Sequence, residues 1–450
     1  MIKVNDILEV KIEKVVYGGE GMAYIDDFVI FVPLSCVGDL LKVKVISTKK
    51  TYARAIILEI LKASDDRVEG DKISFKDFNG CDFAMLKYEK QLEYKKNMLK
   101  ELFSKMSNEN IENIEIIGAS KTTNYRNKVA EPFFIDEFAK INTGFFERKS
   151  HNVFSNEKDI LKSSIGIKIT KKVLDKLNEK KFTVYDEKTN AGFLKHLIIR
   201  NNSNDDVMLA IVVYKKSMID KLSSVLKSLY EENKEIKSVY ISVKNSINNV
   251  ILGDENIHII GDKILHENLS GINFKIYLDS FFQVNLEQVN KLYDIALGYI
   301  DDKKEMAIDA FSGTGTISML MSNKFSKVYA IEYTKSAVVA AKKTAKENNI
   351  ENIKFIASKV EDKIENIVKY ENISHIVFDP PRKGIDKTVL DSVAKNNIKN
   401  IVYISCEPST YTRDLNILKE YGYKLKKIKA VDMFPQTHHI EIVSLISKDI

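Results

Sequence analysis

From Met306 onward, short apolar runs alternate with amphipathic stretches, and a parallel sheet covered by helices is the fold class that accommodates such a pattern. The runs are Met306–Phe311, Val328–Glu332, Ile353–Ala357, Ile373–Asp379 and Ile398–Cys406. Helical stretches are expected near Ile317–Ser322 and over Lys335–Asn348, with another before each of the last two runs. Two further strands, near Leu425–Asp432 and Ile440–Ser447, close the segment. Open sheets of this kind put their reactive groups beyond the carboxyl ends of the strands. Three such ends carry polar chemistry here: Asp309-Ala-Phe311-Ser-Gly313-Thr-Gly315, Asp379-Pro-Pro-Arg382 and Ser405-Cys406-Glu407-Pro408. Alone, Cys406 would read as a small buried hydrophobe. Three polar strand ends in one sheet instead describe an active site.

The remaining residues read differently. Residues 1 to about 60 hold short β-rich runs, Val10–Val16, Phe28–Val32, Leu41–Ser47 and Ala53–Leu58, with a glycine turn at Tyr17-Gly18-Gly19-Glu20-Gly21. Several short strands in so small a segment suggest a little barrel, a shape that often binds oligonucleotides. Residues 87–105 show helical periodicity with a strongly basic outer face. From about 110 to 275 strands and helices alternate without a nucleotide motif, and the clusters Tyr125-Arg126-Asn127-Lys128 and Arg148-Lys149-Ser150-His151 mix cations with rings suited to phosphate and base contact.

A net charge of +6 permits a polyanionic partner without requiring one. No apolar stretch approaches a membrane span, and the first residues lack the pattern of a signal peptide. Three cysteines argue against a disulfide framework and for a reducing cytoplasm, which would also keep a nucleophilic Cys406 reduced.

Gly313 and Gly315 follow a strand and precede a helix, so a cofactor can approach the backbone there. The third glycine of a dinucleotide fingerprint is missing, and so is the lysine of a triphosphate loop. Glu332, at the next strand tip, can accept both hydroxyls of an adenosine ribose. With Asp-Pro-Pro downstream, this combination favours S-adenosylmethionine over NAD.

Five motifs in order resemble the RNA uracil-5-methyltransferases: Ser280-Phe-Phe-Gln283-Val-Asn285, Asp309 through Gly315, Asp379-Pro-Pro-Arg382-Lys-Gly384, Ser405-Cys406-Glu-Pro408-Ser-Thr410 with Arg413-Asp414, and Asp432-Met-Phe434-Pro435-Gln-Thr437-His438-His-Ile-Glu441. The resemblance spans nearly the whole chain. It implies a Rossmann-like S-adenosylmethionine methyltransferase domain (276–450), an OB-like TRAM barrel that binds RNA (1–60), and a linker helix with an α+β central RNA-binding domain (61–275). It also implies that Cys406 is the nucleophile and Glu441 the base. Gln283 and Phe311 resemble cofactor-contacting positions, Asp379 is by resemblance a cofactor or substrate contact in addition to the cofactor acceptor Glu332, and Arg382 and Lys383 are candidates for phosphate.

Many members carry an iron–sulfur cluster on four cysteines. Here Cys81 stands alone, with Phe78 and Asn156 near two expected ligand positions, so the cluster is expected to be absent. The implied partner is RNA, with 23S rRNA favoured over the transfer RNA T-loop by the added barrel, and the implied state is a monomer away from membranes. Three other readings stay open: an inactive RNA-binding protein, an Asp-Pro-Pro methyltransferase acting on nitrogen, and a Rossmann dehydrogenase.

Overall fold

The computed structural model describes residues 2–68, 80–107, 109–146, 153–155, 159–246, 248, 250–301 and 305–448. Phe78, Asn79, Arg148 through His151 and Asn156 lie outside the described residues. The chain divides into two compact units. One comprises Met1–Thr122, Glu287–Lys335 and Asn352–Ile450, and the other Thr123–Leu286 and Ser336–Glu351.

The first unit opens with β1 (Ile7–Lys11), β2 (Lys14–Val15), β3 (Gly21–Ile25), β4 (Phe28–Val32), β5 (Leu40–Thr48) and β6 (Tyr52–Lys62). They form one six-stranded sheet in the order β1-β5-β6-β4-β3-β2. Alternate residues of β5 (Leu41, Val43, Val45) and β6 (Ala53, Ala55, Ile57) enter a common apolar core, as period-two strands require. The run Val10–Val16 breaks at Ile12-Glu13 into two strands, and Gly21–Ile25 adds one that its low content of β-branched residues had hidden.

Next come α1 (Tyr88–Met106) and β7 (Glu115–Ile117). Glu89 in the first turn and Lys105 in the last complement the dipole of α1. Its inner face buries Tyr94, Met98, Leu99 and Phe103 at helical spacing, and also Gln91 and Lys95.

The second unit is built on a seven-stranded sheet of β8 (Lys128–Ile135), β9 (Ile141–Phe146), β10 (Val153–Ser155), β11 (Leu194–Asn201), β12 (Val207–Val213), β13 (Ile236–Val243) and β14 (Glu255–Gly261). Only β12 and β13 pair in parallel. Two helices, α2 (Ser164–Glu179) and α3 (Ile219–Glu232), bury Ile169, Val173, Leu222 and Leu226 in one core with that sheet. A hairpin, β15 (Leu265–Leu269) with β16 (Ile272–Ile276), follows.

In the rest of the chain α4 (Leu286–Gly298) leads into β17 (Met306–Ala310), α5 (Thr316–Met321), β18 (Lys327–Glu332), α6 (Lys335–Glu347), β19 (Ile353–Ala357), α7 (Ile364–Tyr370) and β20 (Ile373–Phe378). Then come α8 (Lys387–Lys395), β21 (Asn400–Ser405), α9 (Pro408–Glu420), β22 (Lys424–Val431) and β23 (Glu441–Ser447). The strands build an eight-stranded sheet in the order β19-β18-β17-β20-β21-β23-β22-β7. The first five are parallel neighbours, whereas β23 lies antiparallel between β21 and β22. Chain order reverses at β17, with β18 and β19 on one side and β20 and β21 on the other. That switch point opens a crevice beyond the strand ends. The loops after β17, β18, β20 and β21 all leave at that edge.

Candidate active site

The antiparallel strand β23 decides what Cys406 faces. Ser405 of β21 pairs with Ile442 of β23, so the next residues along the two chains, Cys406 and Glu441, come opposite each other at the sheet's end. Cys406 is half-buried, and Glu441 is 5% exposed. Burial, helped by the carboxyl groups of Glu441 and Asp379 and opposed by Arg382, pushes the Cys406 thiol up to about 11. Burial also lifts Glu441 to about 8, with Asp379 adding to the effect and Arg382 opposing it. Asp379, just past β20, rises to about 7 by burial alone. A thiol, two carboxyl groups and one guanidinium thus share an electrostatic neighbourhood at adjacent strand ends.

Beside them lies the crevice at β17. Phe311 holds a positive φ of 66°, a strained conformation for an aromatic residue, and leans on the sheet core with its ring centroid 6.4 Å from that of Phe378. Gly313 (φ 53°) and Gly315 (φ 76°) continue the turn. A side chain at Gly313 would meet nothing within 4 Å, so the space beside that backbone is open. Gly313 N donates to Glu332 Oε2 at 3.0 Å and Thr334 N to Oε1 at 2.7 Å, which fixes the carboxylate at the tip of β18. Asp309 is fully buried. Ser318 donates to its Oδ2, while Oδ1 has no hydrogen-bond partner among the described residues. Burial first, then Asp379 and Glu332, lift this carboxyl to about 7.

Gln283 belongs to the second unit. Asn127 Nδ2 donates to its carbonyl at 3.3 Å, and Arg200 donates to the carbonyls of Tyr277 and Ser280 just before it. Arg382 and Lys383 are exposed on the loop after β20. That loop is held by Asp414, whose Oδ2 accepts from Ile385 N (2.8 Å) and Tyr403 (2.7 Å).

The sequence profile of the tRNA (uracil-5-)-methyltransferases matches residues 87–449, and that of the TRAM domain residues 3–58. An RNA methyltransferase of Fusobacterium nucleatum, itself uncharacterized, is 47% identical over 100% of this chain and 97% of its own length. Another, from Clostridium tetani, is 35% identical over 95% of this chain and 94% of its own. The chain belongs to the tRNA (uracil-5-)-methyltransferase family. It is by family an RNA methyltransferase with a TRAM domain. Its fold matches the crystal structure of the Pyrococcus abyssi tRNA (uracil-54, C5)-methyltransferase in complex with S-adenosyl-L-homocysteine, with a TM-score of 0.78 at 23% identity, over 98% of this chain and 100% of the other.

In this methyltransferase the segment between β22 and Glu441 hangs on α1. Lys95 Nζ lies 2.5 Å from Asp432 Oδ1, both side chains fully buried, and Tyr88 donates to Oδ2 of the same carboxylate at 2.9 Å. Gln91 and Gln436 exchange two hydrogen bonds, each 2.9 Å. His438 Nδ1 sits 2.6 Å from Asp82 Oδ2, and its ring packs 4.1 Å from that of His439. Burial holds His439 down at about 4, so it is neutral at pH 7. Lys95 is a residue of α1 that the basic outer face does not account for, because this lysine points inward to an acid more than three hundred residues away. No local signal marks it, since periodicity places a residue on a face but does not supply its partner. Among the described residues no group of three or more His, Cys, Asp or Glu is placed to hold a metal, and no helix is long and apolar enough to cross a membrane.

Proposed function

We propose that this protein methylates C5 of a uridine in RNA, using S-adenosylmethionine and a transient bond between Cys406 and C6 of the base. The observation that carries this reading is the pairing of β21 with β23, which sets a thiol and a buried carboxyl opposite each other. The crevice at β17 fits the adenosyl group. Glu332 stands where ribose hydroxyls would need an acceptor, the backbone at Gly313 is open, and Asp309 keeps one oxygen without a partner among the described residues. Phe311 and Asp379 line the same strand ends, and Gln283 is proposed as a cofactor contact from the family resemblance alone. When bound, S-adenosylmethionine supplies an electrophilic methyl group.

C5 of uracil is too weak a nucleophile to take that methyl unaided. The Cys406 thiolate adds to C6, and the C5–C6 π electrons move into the ring as an enolate. C5 attacks the methyl carbon, whose bond to sulfur breaks with the electron pair left on sulfur. Glu441 takes the C5 proton, the C5–H electrons re-form the C5–C6 double bond, and the thiolate leaves. Arg382 opposes the rise that burial and the two carboxyl groups impose on the Cys406 thiol, in the direction that thiolate formation needs. The target base must leave its stack to reach Cys406. In this reading the barrel (1–60) and the central segment (61–275) grip the RNA, and residues 276–450 carry out the reaction. The proposed state is a monomer.

The decisive experiment uses RNA containing 5-fluorouridine. With fluorine in place of the C5 proton, elimination fails and a covalent protein–RNA complex accumulates, whereas an enzyme acting on nitrogen forms none. Cys406→Ala should give no complex and no methyl transfer while still binding S-adenosylmethionine. Methylation by that variant at even about a tenth of the normal rate would overturn covalent catalysis through this thiol.

For the target, 23S rRNA is the proposal supported by the barrel. A transfer RNA reading is favoured by one observation: the fold match to the archaeal tRNA enzyme covers 98% of this chain, barrel included. Mapping 5-methyluridine in ribosomal and transfer RNA from a deletion strain separates the two.

A further inference from the structure

We infer that Tyr17, on the glycine turn of the N-terminal barrel, is a positioning residue for the nucleophile's loop, so that the barrel completes the methyl-transfer site as well as binding RNA. This rests on the proposed role of Cys406. Tyr17 Oη donates to Glu407 Oε1 at 2.6 Å, and Glu407 is the residue directly after Cys406. Both side chains are half-buried. Ser409 Oγ donates to the same carboxylate oxygen at 2.7 Å. On the backbone side, Ser405 Oγ bonds both the N–H and the carbonyl of Glu407, each at 3.1 Å. The strand-to-helix turn that carries the thiol is therefore pinned by its own serines, Ser405 and Ser409, and from the barrel by Tyr17.

The same turn of the barrel touches the other side of the site. Gly19 has a positive φ of 80°, and a side-chain carbon there would fall 2.8 Å from His438 Cβ and 3.4 Å from Asp82 Cβ. The glycine is thus required both by its backbone conformation and by close contact with the loop that leads to Glu441. One barrel turn meets the residue after the nucleophile and His438, three residues before the proposed base. Neither contact uses a residue of the methyltransferase sheet's own cofactor crevice.

A hydroxyl that fixes Glu407 acts on Cys406 through one peptide unit. Displacement of a nucleophile by a fraction of an ångström affects the reaction step far more than the grip on a large substrate. Tyr17→Phe deletes that donor and little else. It should lower kcat about tenfold and leave KM for RNA within about twofold, the pattern of an interaction that matters in the transition state. Folding is monitored by melting temperature and by S-adenosylmethionine binding, both expected to stay at wild-type values. The same loss should appear in Glu407→Ala, and the double variant should be no slower than either single one, because the two groups act as a unit.

A Tyr17→Phe enzyme with kcat within about twofold of wild type overturns the inference, as does a raised KM at unchanged kcat, which would make Tyr17 an RNA contact only. Additive losses in the double variant also overturn it. Failure of the underlying reading shows separately, as methyl transfer that survives Cys406→Ala.

Discussion

Burial holds the Glu441 carboxyl up at about 8, against an ordinary value of 4.5. Between those values the folded chain binds the proton more tightly than the unfolded chain, so this group's contribution to stability is full below 4.5 and is lost as pH rises towards 8. Glu441→Gln should therefore melt a few degrees above the wild type at pH 8 and at the same temperature near pH 4, read by calorimetry at several pH values. The same substitution loses the basicity that elimination needs while keeping size and shape. Addition and methyl transfer should proceed and release should stall, leaving a methylated protein–RNA complex that survives denaturing electrophoresis. Normal turnover without such a band would assign the proton to another group or to water. Cys406 adds a pH dependence of its own, in reactivity. With its thiol raised by burial, Glu441 and Asp379 against the pull of Arg382, alkylation of free Cys406 by iodoacetamide should accelerate with pH, up to about tenfold per unit across the neutral range. A flat profile would mean that the thiolate is already formed in the free protein.

Among the elements, α1 is the one whose role in the first unit differs most from its appearance in sequence. Its periodicity predicts the helix within a residue at each end, and its apolar face packs as expected. Lys95 does not follow the pattern. It enters the core to meet Asp432, and burial holds its ammonium below the usual value while the acid pulls it back up. Breaking a buried pair from one side strands a charge, so Lys95→Ala should destabilise by about 3–5 kcal/mol. The double substitution Lys95→Met with Asp432→Asn should recover much of that loss, since it removes both charges. Chemical denaturation of the three proteins checks the prediction, and a double variant no more stable than Lys95→Ala would overturn it. The strand β3 and the break between β1 and β2 were illegible for a different reason. Short barrel strands are set by cross-strand partners, and Gly21 is buried where a side chain would lie 2.0 Å from Ser35 Oγ.

For the molecule as a whole, the cysteine inventory predicts a protein without a four-thiolate cluster. Anaerobically purified protein should lack stoichiometric iron, and Cys81→Ser should cost little activity. Stoichiometric iron would overturn that expectation. The sheet of β17 to β23 was largely legible from residue order alone, because strands buried on both faces need continuous apolar runs and their helices need the 3.6-residue period. The glycine turn after β17, the acid ending β18 and the cysteine ending β21 were legible too, as polar groups that an apolar run has no reason to end on.

Spatial neighbours far apart in sequence were not legible. The antiparallel insertion of β23 between β21 and β22 brings Glu441 opposite Cys406, and a hydrophobic pattern specifies a strand's buried faces without naming its partner or register. The bonds from Tyr17 to Glu407, from Lys95 to Asp432 and from Asp82 to His438 each close a loop of more than three hundred residues. Sequence determined which elements form and which of their ends carry chemistry, since those depend on local periodicity and local chain chemistry. The tertiary structure decided which ends meet, because that depends on how the chain returns to itself.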